Sequence, residues 1–301
     1  MMLRLLAAAA LVGTLATAPQ PDDRGRPVIL FLHGRGMLDR DTAQLRKLWL
    51  DGLMSGAKPL THEPLITDRD VRLVWYADVL DPRSSESCNY DAGDPRAKHD
   101  AETDAQLKSF VSLVGNFLGA LTNIVSDTES VWQLRTFSGD ASFLGDAHKR
   151  CASEQRLGNA LDRAKREGRP VILVAHSLGS LVAYDYLSAR RDTGVVQRLV
   201  SLGSMLGSAD LRRLLIGGDS SDAFGEPRSV KSWINIRNSG DPFAIPLSFG
   251  RDIVTDPPAD EVDQHEMVGY LRNGITAGAI LEGWCGAFGA SRPAGCNELA
   301  R

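Results

Sequence analysis

The chain reads as an α/β protein with a mostly parallel central sheet and helices on both faces, and three observations predict it. Short, continuous apolar runs recur, above all Val28-Ile29-Leu30-Phe31-Leu32 and Val171-Ile172-Leu173-Val174-Ala175; strands buried on both faces have this character. Segments with helical apolar spacing separate these runs. The strand–helix–strand series contains no internal repeat, so it predicts a parallel sheet between two helical layers, with ligands at the carboxyl ends of the strands.

Composition fits one large core: 301 residues, 43% hydrophobic and 24% charged. A formal net charge of −4 without any Lys/Arg cluster argues against a nucleic-acid partner. At the start, Arg4 precedes an apolar stretch that ends in Ala16-Thr17-Ala18. This predicts a signal peptide over residues 1–18, cleaved after Ala18, with an uncleaved anchor as the alternative. Residues 19–26 are then a polar leader and 27–301 the main domain, secreted or periplasmic.

The first strand, Pro27–Leu32, stops at His33-Gly34-Arg35-Gly36. Residues 39–54 have helical spacing, with Leu45, Leu48, Trp49 and Leu53 on one side, and Val71–Ala77 is a second strand. From Asp81 to about Glu154 the rhythm breaks. A polar, turn-rich start leads into helical periodicity from Leu107 to Val125. A stretch this long between strands predicts an inserted helical cap over about 82–154. A helix over Leu157–Lys165, the Val171–Ala175 strand and a helix over Ser180–Ala189 follow. Val195–Leu202 and Val230–Ile236 are strands, Asp252–Thr255 a weaker one, and 265–282 is helical.

An even set of cysteines, Cys88, Cys151, Cys285 and Cys296, favours two disulfides in an exported chain. Of the three possible pairings, Cys88–Cys151 and Cys285–Cys296 join residues of one region each. None of the four sits in zinc-type spacing.

Ala175-His176-Ser177-Leu178-Gly179 lies between a buried strand and a helix. Small residues two before and two after the serine allow a tight, strained turn that lifts the hydroxyl above the sheet at a helix N-terminus. There the N–H of Leu178 can meet an oxyanion. Together with the His33-Gly34-Arg35-Gly36 loop, this motif resembles the α/β-hydrolase superfamily, lipase/esterase-like serine hydrolases in particular, over about residues 27–285. The resemblance implies the α/β-hydrolase fold and the chain order nucleophile, acid, histidine. Asp241, in the turn Asn238-Ser239-Gly240-Asp241-Pro242 after a strand, is the expected acid, with Asp252, Asp256 and Asp263 as competitors. His265 is the one histidine beyond it and the expected base. In the resembled family the loop after the first strand supplies a second oxyanion N–H, which maps to Arg35; Gly34 and Gly36 let backbone approach substrate, and His33 holds the loop. His176 is read as a residue that packs or that supports the site from behind.

The implied reaction is cofactor-free and metal-free acyl transfer to Ser177 and hydrolysis of a small-molecule or lipid ester, with the apolar face of the cap either lining an acyl pocket and touching a lipid surface transiently or packing on the domain. A non-catalytic lipid- or partner-binding member of the fold and an acyltransferase are the alternatives.

Overall fold

The computed structural model describes residues 23–100, 142–190, 196–215, 225–248, 250–289 and 292–300. The predicted signal peptide, most of the leader and the helical periodicity over 107–125 lie outside them. In order, the elements are β1 (Val28–Leu32), α1 (Thr42–Ala57), β2 (Val71–Val74), α2 (Ala77–Leu80), α3 (Ala147–Arg166), β3 (Val171–His176), α4 (Leu178–Ser188), β4 (Val196–Leu202), α5 (Ala209–Leu215), β5 (Trp233–Asn238), β6 (Arg251–Thr255), α6 (Met267–Arg272) and α7 (Gly274–Gly286).

The six strands form one all-parallel sheet in the order β2-β1-β3-β4-β5-β6. Side chains of successive strand residues point to opposite faces, and both faces are buried. Leu30 and Leu173 pack with α3, α4 and α5 on one side, while Phe31 and Val174 pack with α1, α6 and α7 on the other. That two-sided burial is why β1 and β3 are apolar throughout. The order reverses between β1 and β3, which opens a crevice outside their carboxyl ends. The loop from His33 and the turn at Ser177 leave the sheet there.

Several boundaries differ from the sequence reading. β2 ends at Val74 because the Tyr76 N–H bonds His33 Nε2 at 3.1 Å instead of joining the ladder. α3 starts at Ala147, inside the stretch assigned to the insertion, capped by Asp146, whose carboxylate accepts from the His148 and Lys149 N–H groups. Residues 265–282 form two helices, since Asn273 ends α6 and caps α7 through the Ile275 N–H. The helix α5 was not anticipated.

Charge pairs tie residues 94–100 to α3 and α3 to α4. Arg150 of α3 donates to Asp100 at 2.6 Å and to the carbonyls of Phe143 and Leu144 at 3.2 and 2.9 Å. It also lies 4.0 Å from Asp185 of α4. Arg96 pairs with Asp94 and with Glu154 of α3. Burial raises the carboxyls of Glu154 and Asp185 above their usual range, so the pair holds a proton more readily than free carboxylates would.

Both favoured disulfides are present, Cys88–Cys151 and Cys285–Cys296, each with Cα atoms 5.6 Å apart. Disulfides persist in oxidising, extracellular-type compartments. No helix among the described residues is long and apolar enough to cross a membrane. The pairs span 63 and 11 residues of sequence. Loop-closure entropy then assigns them about 4 and about 3 kcal/mol. Urea unfolding of Cys88→Ala/Cys151→Ala is expected to show the larger loss, with Cys285→Ala/Cys296→Ala next to it as the reference.

Candidate active site

β3 runs through the core and stops abruptly. At Ser177 the backbone takes φ 51° and ψ −124°, the one left-handed non-glycine conformation among the described residues. Such a conformation costs about 1–3 kcal/mol and persists only where the surroundings enforce it. Here the Ser177 N–H bonds the Leu202 carbonyl at 2.9 Å, and its carbonyl accepts from Ser180 Oγ at 2.5 Å. A Cβ at Gly179 would lie 2.5 Å from the His33 carbonyl and 2.6 Å from that of Leu32. Only glycine lets α4 begin this close to the end of β1.

Three predicted residues from three separate segments meet at this turn. Ser177 Oγ lies 2.8 Å from His265 Nε2, and His265 Nδ1 lies 2.8 Å from Asp241 Oδ2. The turn after β5 aims Asp241 inward, and its Oδ1 accepts from the Phe243 N–H at 2.8 Å. Oδ2 also accepts from the Tyr270 hydroxyl at 2.6 Å, and that hydroxyl accepts from the Asn238 N–H at 3.0 Å. Burial by itself would raise the Asp241 carboxyl; the hydrogen bonds from His265, Tyr270 and Phe243 outweigh it and hold the group below its ordinary value. Gly203, at φ 57°, makes room, since a Cβ there would sit 2.8 Å from Asp241 Oδ2 and 3.1 Å from His265 Nδ1.

The competing carboxylates are engaged elsewhere. Asp252 is held by Arg237 and Asn235, and Asp256 accepts from Ser239 Oγ. Asp263 accepts from the His265 backbone N–H, not from its ring.

The loop after β1 closes over the same spot. His33 donates from Nδ1 to the Gly34 carbonyl at 2.6 Å and accepts at Nε2 from Tyr76, on whose ring it stacks at 4.0 Å. Burial pushes His33 down to about 4, so it is a neutral strut with one tautomer. A Cβ on Gly34 would lie 3.0 Å from Ser177 Cβ, which places the backbone of this loop directly against the serine. Gly36 adopts φ 72°. The Arg35 guanidinium lies 4.5 Å from the centroid of the Phe243 ring, and that ring is 4.8 Å from the His265 ring. Leu178, buried, is the first residue of α4, where a helix has no internal acceptor for its N–H.

Two residues do more at the site than the sequence reading gave them, which had no role for Tyr270 and a packing or supporting one for His176. Tyr270, five positions after His265, braces the acid; its sign was the aromatic at that spacing. His176 is 3% exposed and donates from Nε2 to the His265 backbone carbonyl at 2.6 Å. Its Nδ1 is buried without a hydrogen-bond partner. Burial, and then the neighbouring His265, push His176 down to about 3. An unfolded histidine titrates near 6.5, so below that value the unfolded chain takes up a proton that the folded chain refuses, and stability drops as pH falls. Between pH 7 and pH 5 the native protein is expected to lose about 2 kcal/mol more than His176→Gln, read from urea midpoints at the two pH values.

The sequence matches no protein-family model and no curated protein.

Proposed function

We propose that this chain is a serine hydrolase of the α/β-hydrolase type that cleaves carboxylic esters through Ser177, His265 and Asp241. One observation carries the reading: an unbroken hydrogen-bonded line from Ser177 Oγ through both ring nitrogens of His265 to Asp241, starting at a strained turn between a buried strand and a helix. Strain of this kind at an otherwise well-packed position is the signature of a functional group held in place.

The chemistry runs in two halves. His265 Nε2 takes the Ser177 hydroxyl proton as Oγ bonds to the ester carbonyl carbon. The resulting oxyanion is met by the backbone N–H groups of Leu178 and Arg35, each such donor contributing about 3–4 kcal/mol in the transition state. The carbon–oxygen bond to the alcohol breaks, and His265 returns the proton to the departing alkoxide. Water, deprotonated by His265, then attacks the acyl carbon, the bond from that carbon to Ser177 Oγ breaks, and His265 passes the proton to Oγ, which releases the acid and restores the serine. Asp241, ionised throughout, fixes the His265 tautomer and offsets its transient charge.

The disulfides favour export, and within this reading residues 1–18 are the signal peptide. Within the same reading the stretch before α3 serves as a cap, and the apolar helical periodicity of the sequence over 107–125 suits a lipid or acyl ester.

The test is treatment of the oxidised protein with a fluorophosphonate probe, mapping of the label by peptide mass spectrometry, and a rate series on p-nitrophenyl esters from acetate to palmitate. A label on Ser177 with ester turnover is expected. Folded protein that neither labels nor turns over would favour a binding role for the same crevice.

A further inference from the structure

The residue before the proposed nucleophile grips the main chain of the proposed base. His176 and Ser177 are adjacent in sequence, whereas His265 is 89 residues from His176. The His265 carbonyl can only accept, so the 2.6 Å contact requires the hydrogen on His176 Nε2 and leaves Nδ1 bare. Nδ1 faces Gly34, where a Cβ would stand 2.9 Å away. Nothing there accepts a proton from a charged ring.

The segment that carries His265 needs such a hold. It is a non-helical stretch between β6 and α6, and nearby Val262 is almost fully exposed. The His265 N–H is tied only locally, to Asp263, and the preceding carbonyl accepts from Asn238 at 2.9 Å. The bond from His176 links this peptide to the strand that presents Ser177. The two rings lie 4.9 Å apart, so a charge on His176 would oppose the imidazolium that His265 becomes during catalysis.

We propose that His176 is a positioning residue that sets the Ser177–His265 geometry by holding the His265 main chain with a neutral, single-tautomer N–H. This rests on the hydrolase reading above. It also explains why position 34 carries no side chain: a methyl group there would press on both His176 and Ser177.

The test compares His176→Leu with His176→Gln, whose terminal amide N–H reaches where Nε2 reaches. Readouts are kcat and KM on the preferred p-nitrophenyl ester, the melting temperature, and the low-field proton resonance of the His265 Nδ1–H held by Asp241. Leu is expected to lower kcat about 30- to 100-fold at nearly unchanged KM, since a misplacement of about 1 Å costs on that order. It is also expected to broaden the resonance. Gln is expected to recover kcat to within about fivefold of wild type and to keep the resonance sharp. A folded Leu variant with wild-type kcat, or Leu and Gln variants impaired alike, would overturn the proposal and leave the hydrolase reading intact. If Leu does not fold, the Gln variant decides alone, and a large loss of kcat in it overturns the proposal. A wild type without turnover or label on Ser177 overturns both.

Discussion

Ser177→Ala is expected to lower kcat for ester hydrolysis by about 10⁶-fold and to abolish fluorophosphonate labelling, with little change in stability. Alanine keeps the Cβ, so it meets the same steric demands at φ 51° as serine. The Ser177 backbone bonds to Leu202 and Ser180 also remain. What vanishes is the one oxygen 2.8 Å from His265 Nε2. Stopped assays on purified protein, with melting curves alongside, separate lost chemistry from lost fold. A variant that retained a tenth of the activity would remove Ser177 from the mechanism.

Asp241→Asn is expected to cost about 10⁴-fold in kcat, on the precedent of triads whose acid is made neutral. Three donors converge on this carboxylate: His265 Nδ1, the Tyr270 hydroxyl and the Phe243 N–H. An amide has one acceptor atom where two are needed. If its nitrogen faces His265, the ring changes tautomer and presents Nε2–H to Ser177, where it cannot take a proton. If its nitrogen faces Phe243, two donors oppose each other and the negative charge that supports the imidazolium is still gone. Initial rates over a range of pH check this. A loss below tenfold would hand the acid's role to another group, although Asp252, Asp256 and Asp263 are all bound elsewhere.

The sheet was legible because two-sided burial writes itself as unbroken apolar runs. β1 and β3 lie within a residue of the expected bounds. Apolar periodicity misled where polar contacts decide. Trp75 and Tyr76 continue the apolar run of β2, yet the Tyr76 N–H leaves the ladder for His33. The first turns of α3 carry Arg150, Ser153 and Glu154, buried through paired charge and hydrogen bonds that no hydrophobic pattern reveals. Ser177, Asp241 and His265, which the structure brings into one hydrogen-bonded line, were singled out by a local motif and by the chain order that the resemblance implies. Separating Asp241 from its competitors took the tertiary structure. The parts played by His176 and Tyr270 depend on partners 89 and 29 residues distant, which composition and spacing do not record.

The clasp formed by Arg150 has a consequence for how this protein can change over time. One guanidinium reaches the aspartate at position 100 and the carbonyls at 143 and 144, so these two points of the chain are held together on α3. With the ends held together, lengthening or replacing what lies between costs only a slowly growing loop entropy. The framework that carries Ser177, Asp241 and His265 need not adjust. A lineage with this arrangement can vary the sequence between positions 100 and 143 while the groups that meet at the Ser177 turn stay where they are.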